Sequence, residues 1–148
     1  MDKKLKVLFV CVHNSARSQM AEKFLNELGK EYFIAESAGL KPGNLNQFAV
    51  RVMAEIGFDI SEQKPKSVFE IFKLGKSYNF VITVCDEKTA EKCPLFPGVI
   101  NTIHWSFEDP STFQGSDEDK LAFTREVRDK IKEKILWFID NYKKYYVE

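Results

Sequence analysis

An excess of charge of either sign is missing from this chain. Its 148 residues carry 22 Lys and Arg against 22 Asp and Glu, a formal net charge of zero. Such a balance gives no electrostatic footprint for nucleic acid or an anionic membrane, so neither is expected as a partner. Histidine is scarce at two residues, and cysteine at three. A four-ligand zinc site cannot be drawn from that set, and an odd, small cysteine count is no disulfide framework. No apolar run approaches the ~18 residues of a membrane span. Met1-Asp-Lys-Lys with Leu5 to Val12 is too brief for a signal peptide. The expectation is a cytoplasmic protein with reduced thiols. What is present is ordinary globular composition, 44% hydrophobic and 30% charged, at a length that suits one domain.

Strand and helix patterns alternate along the chain, with no repeat or low-complexity stretch. Val7 to Val10 is a buried-strand run, and Met20, Ala21, Phe24, Leu25 and Leu28 follow at helical spacing up to Gly29. Tyr32 to Ser37 predicts a second strand. Asn46 caps a helix through Ala49, Val52, Met53 and Ile56, stopped by Gly57. Val68 to Leu74 is a short apolar helix ending at Gly75. Phe80 to Val84 predicts a third strand and Val99 to Trp105 a fourth. Ser116 with Asp117, Glu118 and Asp119 opens a last helix, whose face is Phe123, Val127, Ile131, Ile135, Phe138 and Tyr142. The C-terminal aromatics Trp137, Phe138, Tyr142, Tyr145 and Tyr146 read as core and helix end. The fold class expected is α/β: a single domain, 1–148, with a four-stranded parallel sheet and helices on both faces. Ligands of such sheets bind outside the carboxyl ends of the strands.

Cys11-Val-His-Asn-Ser-Ala-Arg17 lies at the first of those ends, between strand and helix. A loop there aims successive N–H groups and the positive end of the helix dipole at one point. The candidate oxyanion-binding residues are therefore Val12, His13, Asn14, Ser15, Ala16 and Arg17, with Arg17 adding a planar fork for two oxygens. The same field favours the thiolate of Cys11, which should ionise below the free value of about 8.5 and act as nucleophile. Ser18 is placed to donate to the sulfur, and the Asn14 amide to pin the loop. His13 shapes the pocket mouth.

Two other strand ends carry chemistry. Val81-Ile-Thr-Val-Cys85 ends in a thiol, and Cys93 follows after seven polar residues. A thiol relay there competes with two buried, hydrophobe-like cysteines. After the fourth strand come His104, expected to pack within it, and Glu108-Asp109-Pro110. Asp109 is the candidate that hands a proton to a leaving oxygen, with Glu108 as rival.

Cys11-x5-Arg17-Ser18 with Gln-Met-Ala-Glu22, Glu36-Ser-Ala-Gly39, the cysteine pair, and Trp105 to Pro110 resemble the thioredoxin-coupled arsenate reductases. These share the fold of low-molecular-weight protein tyrosine phosphatases. The resemblance runs nearly end to end, including Arg125-Glu-Val-Arg-Asp-Lys. The C-x5-R loop is common to both groups. The cysteine pair belongs to the reductases, and the phosphatases typically carry tyrosines where this chain has Ser111 and Thr112.

The resemblance implies that Cys11 attacks arsenate while Asp109 protonates the departing oxygen. Cys85 would then attack the Cys11 adduct, leaving a Cys11–Cys85 disulfide, and Cys93 would attack Cys85 in turn, leaving a Cys85–Cys93 disulfide for thioredoxin to reduce. Phosphate or sulfate would mimic arsenate, and no cofactor is implied. Some relatives hold potassium near the loop. Asn14, Glu22 and Ser37 match three of its ligands, but Lys66 falls where a carboxylate would complete the site, so no metal is expected. Two other readings stay open: a phosphotyrosine phosphatase using Cys11, Arg17 and Asp109, and a non-catalytic oxyanion or redox sensor.

Overall fold

The computed structural model describes residues 3–85 and 101–145. Cys93, the stretch 86–92, residues 99 and 100 of the expected fourth strand, and Tyr146 lie outside the described residues. Apolar runs with β-branched residues form the strands β1 (Leu5–Cys11), β2 (Phe33–Gly39), β3 (Phe80–Thr83) and β4 (Asn101–His104). All pair in parallel, in the order β2-β1-β3-β4. Connections run outward from β1 to β2, then back across to β3. The strand order therefore reverses between β1 and β3, the crevice where such sheets bind ligands.

Alternation along β1 sends its side chains to opposite faces. Val7, Phe9 and Cys11 enter the larger core, while Leu8 and Val10 enter a smaller one. Helices α1 (Arg17–Leu28), α2 (Gln47–Ala54) and α4 (Asp117–Asn141) supply the larger core, and α3 (Val68–Lys73) closes the smaller with Val68 and Ile71. This is the expected architecture, with helices on both faces.

Caps fix the helix ends. Asn46 Oδ1 accepts from the N–H groups of Phe48 and Ala49, and Ser67 Oγ from that of Phe69. At α4 Ser116 and Asp119 form a reciprocal capping box, a device that contributes on the order of 1 kcal/mol. Phe138 is the hub of the larger core, its ring 5.3 Å from Phe80, 5.4 Å from Phe33 and 5.5 Å from Trp105. Edge and tilted packings of this kind suit the ring quadrupole.

Two sequence expectations change here. Phe123 is only half-buried on α4: it stacks on Phe113 at 4.5 Å, while Leu121, Thr124 and Arg128 take buried positions on that helix. A helix 25 residues long with α1 and α2 both against it buries a wider stripe than one row of apolar residues marks. His104 does not pack inside β4. It stands exposed, with Nδ1 2.6 Å from Thr83 Oγ1, because alternation turns Ile103 rather than His104 to the core.

Candidate active site

The site grows from the end of β1. Cys11 pairs with Gly39 in register, and there the chain leaves the sheet. Gly39 must be glycine: a Cβ on it would lie 2.8 Å from Val12 O and 2.9 Å from Asn14 N. That close approach lets the chain after β2 bond the loop's carbonyls. Leu40 N–H donates to Cys11 O, Lys41 N–H to Val12 O and Gly43 N–H to His13 O. Asn46 N–H takes Ser15 O, and Gln19 Nε2 takes Asn14 O.

The loop's carbonyls are thus occupied, whereas three of its amides are not. Helix α1 has Ala16 at its N-cap and no side-chain cap. Among the described residues the N–H groups of Ser15, Ala16 and Arg17 meet no acceptor. An uncapped, buried helix start leaves orphan donors that call for a ligand.

Asn14 holds the loop together. It is wholly buried and adopts φ 53°, a left-handed backbone that Asn tolerates better than most residues. Its Oδ1 accepts from Lys66 N–H at 2.8 Å and Gln19 Nε2 at 3.1 Å. A backbone N–H can only donate, so the amide orientation is set by chemistry. Nδ2 therefore donates to Ser18 Oγ at 2.7 Å, which leaves the Ser18 proton for Cys11 Sγ at 3.0 Å. Asn14 N–H adds a second donor to the sulfur at 3.1 Å. Both contacts converge on the one sulfur.

Arg17 lies buried beside this sulfur-bearing loop. NH1 donates to Phe107 O at 3.1 Å, and NH2 lies 3.4 Å from Asp109 Oδ2. Asp109 is the N-cap of a short turn, Pro110–Thr112, through Oδ1 accepting from Ser111 N–H at 2.9 Å. One carboxylate oxygen is committed to that turn and the other faces the guanidinium. Glu108 is exposed, and the structure gives it no place at Arg17. Cys85 is fully buried just past β3, its Sγ 3.8 Å from Val10 O, next in chain to Cys11. The fold therefore brings together Cys11, Asn14, Arg17, Ser18 and Asp109, with Cys85 at the neighbouring strand end. His13 sits at the rim, its Nδ1 3.1 Å from Lys41 O.

Sequence reasoning missed Gln19 and Gln63. Gln63 Nε2 donates to Gln19 Oε1 at 2.8 Å, and Gln19 in turn holds Asn14. No sequence signal marked either residue, since the burial of Gln19 is a product of the fold. Glu22, Ser37 and Lys66 form a second polar cluster beneath the loop. Ser37 Oγ donates to Glu22 Oε1 at 2.8 Å and Lys66 Nζ approaches to 4.0 Å. Burial raises the Glu22 carboxyl above its ordinary value, against the lowering pull of Ser37 and Lys66. This set does not suit a potassium ion: Asn14 Oδ1 is already taken by two donors, and an ammonium brings the positive charge.

A buried cysteine and arginine on a strand–loop–helix unit, at the switch point of a parallel sheet, place the chain among α/β proteins built on a Cys-x5-Arg loop. The model of the low molecular weight phosphotyrosine protein phosphatase family matches residues 6–146, and the chain belongs to that family. It is 40% identical over 138 residues to an arsenate reductase of Bacillus licheniformis, covering 93% of this chain and 96% of that protein. A solved arsenate reductase in the phosphate-binding state superposes with a TM-score of 0.76 at 34% identity, covering 94% of this chain and 98% of that one. The thioredoxin-dependent arsenate reductase of Corynebacterium glutamicum is similar in fold, with a TM-score of 0.68 at 23% identity, over 96% of this chain and 63% of that one.

Proposed function

We propose that this protein reduces arsenate to arsenite in the cytoplasm through Cys11, Cys85 and Cys93, and that thioredoxin recycles it. The observation that carries the reading is a doubly hydrogen-bonded Cys11 sulfur, set among unpartnered loop amides with Cys85 at the next strand end. Arsenate fits the loop as phosphate would, with Arg17 turning its fork from Asp109 to two equatorial oxygens.

Cys11 attacks arsenic, and the arsenic–oxygen bond opposite breaks as Asp109 Oδ2 gives its proton, releasing water. Asp109 Oδ2 is the donor because Oδ1 stays on Ser111 N–H. Cys85 then attacks Cys11. A sulfur–sulfur bond forms, the sulfur–arsenic bond breaks, and its electron pair stays on arsenic, which leaves as arsenite. Cys93 next attacks Cys85 and frees the Cys11 thiolate. The two electrons passed to arsenic come back from a thioredoxin dithiol.

Peptide mapping after one arsenate turnover tests the relay. Cys93→Ser should stop after one turnover with Cys11 and Cys85 joined. Repeated turnover by that variant with thioredoxin would remove Cys93 from the scheme. The matched family's name favours a second reading, hydrolysis of phosphate monoesters by Cys11, Arg17 and Asp109. Aryl-phosphate hydrolysis by wild type without arsenate reduction would decide for it.

A further inference from the structure

Asn46 lies outside the loop and makes no contact with Cys11 or Arg17, yet it touches both halves of the site. Its N–H donates to Ser15 O at 2.8 Å, which fixes the middle of the oxyanion loop. Its Oδ1 accepts from Phe48 N–H and Ala49 N–H at 2.8 and 3.0 Å, so the amide's other end must be Nδ2. Nδ2 donates to Ser111 Oγ at 2.8 Å, across 65 residues of sequence. Ser111 N–H holds Asp109 Oδ1 at 2.9 Å, and Asp109 Oδ2 faces Arg17 NH2 at 3.4 Å. Arg17 is two residues from Ser15, so these links close a ring: Ser15, Asn46, Ser111, Asp109, Arg17.

We propose that the Asn46–Ser111 hydrogen bond positions Asp109, setting its Oδ2 relative to the loop that holds the oxyanion. The physical case is one of reference frames. Asp109 sits on a three-residue turn after β4, on a different strand end from Cys11. Contacts within that turn, from Ser111 N–H to Asp109 Oδ1 and from Thr112 N–H and Oγ1 to Asp109 O, fix Asp109 relative to the turn and not to the loop. Asn46 is the described side chain that ties Ser111 to the residue bonding Ser15, and a general acid must be held within hydrogen-bond reach of the oxygen it protonates. Helix α2 lends stiffness, because the Asn46 amide is clamped as its cap.

This inference rests on Asp109 being the acid of the first step. The test measures that step by rapid-mixing single turnover with arsenate, and oxyanion affinity separately with inorganic phosphate. Ser111→Ala keeps the N–H that holds Asp109 and removes only the hydroxyl, at an exposed position where folding is safe. Asn46→Ser keeps a good helix cap but is too short to reach Ser111. Each should slow the first step about threefold to tenfold, the weight of one partly exposed hydrogen bond, with phosphate affinity unchanged. The double variant should be no slower than the slower single. Ser111→Thr, which restores the hydroxyl, should recover the rate.

In an Asp109→Asn background neither change should slow the step further. A wild-type rate in Ser111→Ala while Asp109→Asn is slow would overturn the positioning role and leave the acid in place. Equal losses with and without Asp109 would also overturn it, as would a parallel loss of phosphate affinity. A wild-type rate in Asp109→Asn would overturn the acid and the positioning role together.

Discussion

Arg17 and Arg125 each face a carboxylate, and the two pairs are built differently. At the α2–α4 interface Arg125 closes its fork on Glu55, with Nε at 2.8 and 3.1 Å and NH2 at 2.7 Å. Arg128 adds NH1 at 3.0 Å to the same carboxylate and at 2.8 Å to Val52 O. That network is partly exposed, and both guanidinium groups meet the Glu55 carboxylate at 3.0 Å or less. At the carboxyl edge of the sheet Arg17 is 4% exposed, yet its carboxylate stands off at 3.4 Å and one carbonyl takes NH1. A buried guanidinium normally demands close pairing. On the proposed function, the shortfall at Arg17 is capacity for a bidentate oxyanion, beside loop amides that share it. The tight pair then serves architecture and the loose pair the proposed site.

The largest effect expected on the loose side comes from the carboxylate. Asp109→Asn should keep phosphate binding and slow the first chemical step about 10²–10⁴-fold, the usual weight of a general acid, in single-turnover mixing with arsenate. An unchanged rate would make Asp109 a turn residue.

Arg17→Lys comes next. An ammonium cannot reproduce the fork, and one lost charge-assisted hydrogen bond corresponds to roughly tenfold to hundredfold weaker phosphate binding by calorimetric titration. Affinity equal to wild type would put the oxyanion elsewhere.

Arg125→Lys is the counterpart. It should leave phosphate affinity and the first step as they are and lower the urea midpoint only slightly, since the pair is solvent-screened. A loss of phosphate affinity in this variant would erase the distinction between the two arginines.

The smallest effects are in pH. Hydrogen bonding from Arg125 holds the Glu55 carboxyl below its ordinary 4.5. As the pH falls, the unfolded chain takes up this proton first. The stabilisation is therefore present above 4.5 and lost as pH falls through the lower folded value. Glu22 is displaced the other way by burial, so the folded chain keeps its proton longer and stability from that group is lost as pH rises through the raised value. In unfolding measured across pH, Glu55→Gln should flatten the acid-side decline and Glu22→Gln the decline on rising pH. Slope changes of one sign from both would show that the two carboxyls share an environment, against their positions in the fold.

Local pattern carried the sequence a long way. Strand β1, the loop and α1 were legible because apolar period, a Cys and an Arg with five residues between them, and a glycine stop all fall within a stretch of 23 residues. The capping box at Ser116 and the cap at Asn46 were legible for the same reason: a cap is decided by neighbours three residues away. Parallel pairing followed from alternation of strands and helices, since a parallel partner needs a crossover between.

What sequence alone left open concerns pairings over long separations. Asn14 meets Lys66, Gln19 meets Gln63, Arg17 meets Phe107 and Asn46 meets Ser111, at separations of 44 to 90 residues. None has a period or a spacing to read, because each contact joins a polar side chain to another or to a backbone group, and either could have faced water. Composition and spacing determined that this chain carries a thiol and a guanidinium at the end of a buried strand. Only the folded sheet decided which oxygen of Asp109 faces Arg17, that Glu108 stands apart, and that Asn14 donates to Ser18, which donates to sulfur. Hydrogen-bond direction and register depend on what surrounds a group in space, and the sheet brings those neighbours together only after every strand is in place.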